Sequence, residues 1–166
     1  MLLLVIRHGI AAEPRSEDPE TDARRELTKE GREKMRLGAK GLRRELDAPD
    51  VLASSPLVRA RQTAEIVADA YGGIDVVIAD ELVPGQPAAA LASWLKRHTK
   101  HDRVAVVGHD PHLSMTASWL ITGSDRPILK LKKGAACLLE FTGDIGAGRA
   151  LLRWSLQPGQ MRALAG

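Results

Sequence analysis

The chain has 166 residues, 44% of them hydrophobic and 27% charged, which is the balance of a water-soluble globular protein forming one domain over residues 1–166. Its formal charge of +3 suits an anionic ligand, but 24 basic residues interleaved with 21 acidic ones and only 3% aromatics give no basic arm or stacking platform for nucleic acid. The lone Cys137 excludes an intrachain disulfide, the N-terminus has no signal-peptide pattern and no apolar run reaches membrane length, so a cytoplasmic protein without a membrane partner is expected.

Leu2-Leu3-Leu4-Val5-Ile6 is an unbroken apolar run of strand length, the pattern of a strand covered on both faces in a parallel sheet. It ends in Arg7-His8-Gly9. Ligands in open α/β sheets bind just beyond the carboxyl ends of strands, so Arg7 and His8 stand where a site would be. Gly9 would allow close backbone approach. Taken alone, however, these three residues fit a solvated turn at least as well. Residues 10–24, with two prolines and five acidic groups, read as an irregular loop. Thr28 then caps a helix carrying Met35, Ala39, Leu42 and Leu46 at helical spacing.

Residues 51–54 read as a second strand. A helix follows, with Ser55 as N-cap and Pro56 at its first position, an inner stripe of Ala60, Ala64 and Val67, and a stop at Gly72-Gly73. Arg59 lies in the first turn, where helix amides favour an anion. A third strand over 74–79 leads to Glu81 in a loop and a helix over 88–97. His98 and His101 read as surface residues. Val104 to Val107 is a further buried strand ending in Gly108-His109-Asp110-Pro111, with Asp110 capping the next helix and His112 on its surface. The remainder predicts an antiparallel hairpin: a strand to Phe141, a glycine-rich turn over 142–148, and a return strand through Trp154.

Four stretches together resemble the histidine phosphatase superfamily. They are Arg7-His8-Gly9, Arg25-Glu26-Leu27-Thr28, the Ser-Pro-x-x-Arg-Ala-x-x-Thr-Ala pattern from Ser55 to Ala64, and Gly108-His109-Asp110-Pro111. The close from Trp154 to Met161 resembles the end of SixA-type phosphohistidine phosphatases. The resemblance implies a phosphoglycerate mutase-like α/β/α sandwich, with a mostly parallel central sheet and an antiparallel C-terminal hairpin. It implies His8 as a nucleophile that forms a phosphohistidine intermediate, with Arg7, Arg59 and a protonated His109 binding the phosphoryl oxygens. Arg25 and Gly9 would lie near the phosphate. Glu81 matches the place where relatives carry a general acid, although a solvated loop carboxylate explains it equally.

Chemically the set is coherent. Phosphoryl transfer relies on positioning and fixed positive charge, which guanidiniums supply in forked geometry without a metal or other cofactor. A small site with no large lid suits phosphohistidine on a partner such as a histidine-phosphotransfer domain, and Ile10 departs from the polar continuation of the mutases. A small phosphorylated metabolite is the alternative substrate, and a non-catalytic phosphoryl-binding module a third reading, disfavoured by the presence of both histidines.

Overall fold

The opening apolar run forms strand β1 (Leu2–Arg7), and the computed structural model, which describes residues 1–166, places it inside a six-stranded sheet. The other strands are β2 (Val51–Ser54), β3 (Val76–Ile78), β4 (Arg103–Gly108), β5 (Ala136–Glu140) and β6 (Leu151–Leu156). Their order is β3-β2-β4-β1-β5-β6. The first four run parallel, while β5 and β6 are antiparallel to their neighbours. The helices are α1 (Pro19–Ala23), α2 (Lys29–Glu45), α3 (Val58–Ala70), α4 (Ala88–Lys96), α5 (His112–Thr122) and α6 (Pro158–Ala163).

β1 is apolar throughout because both of its faces are covered. Leu3 and Val5 pack in one cluster with Leu91, Leu95, Leu113 and Ala117 of α4 and α5. Leu4 and Ile6 pack in the other with Met35, Ala39, Ala64, Val67 and Met161 from α2, α3 and α6. The result is an α/β/α sandwich. Each fully buried leucine contributes about 1.5–3 kcal/mol relative to an exposed one, so these two layers fix the sheet that carries the strand ends. No helix is long and apolar enough to cross a membrane.

Four local departures from the expected elements have physical causes. Within the loop expected over 10–24, Asp18 accepts a hydrogen bond from the Thr21 amide at 2.9 Å and caps the five-residue α1. The third strand keeps only three residues. Helix α3 starts at Val58 without a side-chain cap, because the Ser55 hydroxyl is engaged elsewhere. The C-terminal tail contains α6, which lies against α2 where glycines permit it: a Cβ on Gly41 would stand 1.9 Å from the Met161 carbonyl oxygen. The predicted Thr28 cap is present, accepting from the Gly31 amide at 2.9 Å.

Candidate active site

β1 and β4 are neighbouring parallel strands with Arg7 opposite Gly108, so the residues that follow them leave the sheet side by side. The His8 amide donates to the Gly108 carbonyl at 3.0 Å, and the His8 and His109 rings lie 5.2 Å apart between centroids. Both are buried, at 5% and 3% exposure. Two motifs separated by a hundred residues thus become one pair.

The partner of His8 assigns its tautomer. His8 Nδ1 lies 2.7 Å from the Gly9 carbonyl oxygen, which can only accept, so Nδ1 carries the hydrogen and Nε2 keeps a free lone pair. Burial above all, with smaller contributions from Arg59, Arg7 and Lys133, lowers the His8 pKa to about 4 against the opposing Gly9 bond. His8 is therefore neutral at neutral pH, the state an attacking nitrogen requires.

His109 is wired the other way. Its Nε2 lies 2.8 Å from the Ser55 hydroxyl, which also accepts from the Leu57 amide at 3.4 Å. The hydroxyl can donate its own hydrogen to Nε2, and in that arrangement the hydrogen of neutral His109 sits on Nδ1, the nitrogen without a protein partner. Burial first, then the charges of His8 and Arg59, pull this imidazole down to about 2. These surroundings disfavour the protonated His109 that the resemblance implies, and a neutral ring carries a single N–H.

His109 Nδ1 is buried and has no partner, and neither have Nε of Arg7 and Nε of Arg59. Leaving a buried donor unsatisfied costs about 1–3 kcal/mol, so three on neighbouring side chains mark a place prepared for an acceptor-rich group. Other guanidinium donors hold the two side chains in position. Arg7 Nη1 donates to the Leu131 carbonyl at 2.7 Å. Arg59, 4% exposed, donates from Nη1 to the Asp22 carbonyl at 2.7 Å and from Nη2 to the Asp22 carboxylate at 3.0 Å.

Asp22, on α1, was absent from the sequence candidates because its contact to Arg59 spans 37 residues. Arg25 grips the same carboxylate, with Nε 2.8 Å from Oδ1, and donates to the Ala12 carbonyl at 2.9 Å. Its donors thus brace Asp22 and the preceding loop. Burial opposes ionisation of Asp22, yet the two guanidiniums hold its pKa below the usual carboxylate value. The Gly9 amide donates to Thr63 Oγ1 at 3.1 Å, which occupies it away from any anion. Gly9 is needed for another reason, since a Cβ would stand 2.6 Å from Met35 Cγ.

Glu81 is not brought to the imidazoles by any contact. Its carboxylate accepts from Arg97 at 2.8 Å, near the far end of α4. Despite the opposing effect of partial burial, the Arg97 bond holds its pKa below the ordinary value, the wrong direction for an acid. His112 also departs from expectation: it is 7% exposed, beside the Gln86 carbonyl, with neither ring nitrogen closing a hydrogen bond. The loop before α4 covers it, a tertiary event that helical periodicity does not encode. His98 stacks on Trp94 at 3.9 Å, remote from the pair. Cys137 is fully buried and its thiol is pushed up to about 12, an inert packing group. No cluster of three or more His, Cys, Asp or Glu side chains comes together to hold a metal.

A site of two imidazoles and two guanidiniums with buried, unpartnered nitrogens, built around the ends of adjacent parallel strands, defines a phosphoryl-handling α/β protein. The sequence model of the histidine phosphatase superfamily (branch 1) matches residues 3–83. An uncharacterised protein of Picosynechococcus sp. is 36% identical over 135 residues, 80% of this chain and 81% of that protein. Phosphohistidine phosphatase SixA of Escherichia coli is 26% identical over 161 residues, 95% of this chain and 94% of its own. The solved structure of the protein histidine phosphatase SixA complexed with tungstate superposes with a TM-score of 0.80 at 25% identity, covering 96% and 98% of the two chains. The chain belongs to the histidine phosphatase superfamily and is of its SixA type. The same fold is shared by the α-ribazole phosphatase of Shigella flexneri, with a TM-score of 0.74 at 16% identity over 95% and 97% of the chains.

Proposed function

We propose that this protein hydrolyses phosphohistidine on a partner protein by way of a phosphohistidine intermediate on His8. The observation that carries this reading is the convergence of a neutral, lone-pair-bearing His8 Nε2 with three buried unpartnered donors on Arg7, Arg59 and His109. A phosphoryl group supplies the acceptors those donors lack, and fixed positive charge offsets the negative charge on its oxygens. The likeness to a SixA structure holding the oxyanion tungstate supports the same use of the pocket.

In the first step His8 Nε2 attacks phosphorus, a new P–N bond forms, and the P–N bond to the substrate imidazole breaks. The departing imidazole leaves with a proton taken up from water. In the second step water attacks phosphorus, the bond to His8 breaks, and inorganic phosphate is released with the His8 lone pair restored. Arg7, Arg59 and the Nδ1–H of His109 bind the phosphoryl oxygens throughout.

The choice of a phosphoramidate over a phosphate ester rests on the carboxyls. Every carboxyl whose pKa is displaced is displaced downward, Glu81 and Asp22 included. An alkoxide leaving group calls for an acid with a raised pKa, whereas imidazole departs without one. The test is phosphate release from free phosphohistidine and a phosphorylated histidine-phosphotransfer domain, compared with p-nitrophenyl phosphate and sugar phosphates in EDTA. Preference for the phosphohistidine substrates is expected. Faster turnover of a sugar or nucleotide phosphate would replace this reading with a small-molecule phosphomonoesterase.

A further inference from the structure

Beside the imidazole pair, a second pocket of about 660 Å³ opens at Gly9, between the N-terminal part of α2, the segment before β5 and the start of α6. Its lining includes Lys34, Lys132, Lys133 and Arg162 and no acidic residue. Lys34 is already paired with Glu30 on its own helix. The other three form no ion pair, in a chain whose remaining basic residues often do. Lys133 lies near enough to His8 for its charge to lower the imidazole pKa. The pocket therefore begins at Gly9, next to His8 in the chain, and three of its four basic side chains carry charge that no acidic group pairs.

We propose that this basic pocket is an acidic-residue subsite, which receives an Asp or Glu side chain flanking the phosphohistidine on the protein substrate. The inference rests on the phosphohistidine phosphatase reading and names how its partner is recognised. The volume has room for a carboxylate together with part of the partner segment that carries it. Flexible lysines supply positive charge without a fixed fork, which suits a carboxylate arriving on a neighbouring segment. Residues next to a modified histidine on one helix face lie only about 5–6 Å away, so phosphoryl group and flanking carboxylate can be seated together. In water each such pair contributes little, but clustered like charges steer association and make it depend on salt.

The test uses two phosphohistidine peptides of identical length, one with Glu at the flanking positions and one with Ala, together with free phosphohistidine. Wild-type protein should show a KM about tenfold lower for the Glu peptide at low ionic strength, shrinking as salt is raised toward 0.5 M. The double variant Lys132→Gln/Arg162→Gln should equalise the two peptides and leave kcat on free phosphohistidine unchanged. Lys133 is excluded from the variant because its charge acts on His8. Equal KM values in the wild type, or a Glu preference that survives in the variant, would overturn the subsite while leaving the function intact. Preference for a small bisphosphate that disappears in the variant would also overturn it, in favour of a second phosphate site. Failure to hydrolyse either peptide or free phosphohistidine would remove the functional reading itself and the acidic-partner subsite with it.

Discussion

β1 with His8 and β4 with His109 are near duplicates. Each is an apolar parallel strand that ends in a buried imidazole beside a glycine, and the two are hydrogen-bonded neighbours in register. What separates them is a single bond apiece. A backbone carbonyl takes the Nδ1 hydrogen of His8 and leaves Nε2 as a base, whereas a serine hydroxyl engages Nε2 of His109 and can leave its hydrogen on Nδ1. Identical strand geometry thus yields an electron-pair donor and a hydrogen-bond donor. The hydrogen-bond partner of each ring assigns the duty, not the strand-end position.

The most damaging way to break the pair is to remove the lone pair. His8→Ala should abolish turnover and the acid-labile, alkali-stable radiolabel of the intermediate, with the sheet intact because His8 follows the last residue of β1. Label retained on the variant at wild-type level would move the nucleophile elsewhere.

Acid should reach the two histidines differently from an ordinary pair. A folded pKa of about 4 for His8 lies below the unfolded value near 6.5, so the unfolded chain binds more protons between those limits. Stability is therefore complete above about pH 6.5 and lost as pH falls toward 4, by ~3 kcal/mol from His8 alone. Denaturant unfolding at pH 7 and pH 4.5 should show that loss, reduced in His8→Ala. An NMR titration of the His8 ring with a midpoint at the ordinary histidine value would contradict it.

Ser55→Ala sharpens the comparison more gently. Without the hydroxyl, His109 loses the group that holds its hydrogen on Nδ1, and a net hydrogen bond of about 1 kcal/mol corresponds to roughly a fivefold loss of kcat. Nitrogen-15 spectra should show a protonated Nδ1 in the wild type and a tautomer mixture in the variant. An Nε2-protonated His109 in the wild type would reverse the assignment.

The strands and the pair itself were legible because apolar runs and strand-end residues are local signals. So were α2, α3 and α5, whose stripes repeat at helical spacing. The rest depends on contacts far apart in sequence. Ser55 looks like a helix cap until β2 and β4 lie side by side and bring it to His109, 54 residues on. Helices α1 and α6 are too short to show an amphipathic stripe: one exists through the Asp18 cap and Asp22 clasp, the other through Met161 against Gly38 and Gly41. His112 reads as exposed because nothing in α5 announces the loop laid over it.

The smallest expected effect lies at the position where resemblance and geometry diverge. Glu81 follows a strand end as a general acid would, but Arg97 holds it ionised and a downward-shifted carboxyl gives up its proton too early to serve at neutral pH. Where a positioned acid is needed, it contributes about a hundred- to ten-thousand-fold. Glu81→Gln should therefore lower phosphohistidine turnover by less than about tenfold, below that range. Its stability cost should also be small, because Arg97 is 59% exposed and a pair of that kind contributes at most about 1 kcal/mol. Hydrolysis of an alkyl phosphate, where any is measurable, should suffer more, since its leaving group has no ring nitrogen to take up a proton. A loss of several hundredfold on phosphohistidine, with phosphate binding unchanged, would show that Glu81 leaves Arg97 when substrate arrives. The proton donor would then come from outside the histidine pair, and a phosphomonoester would become the better substrate.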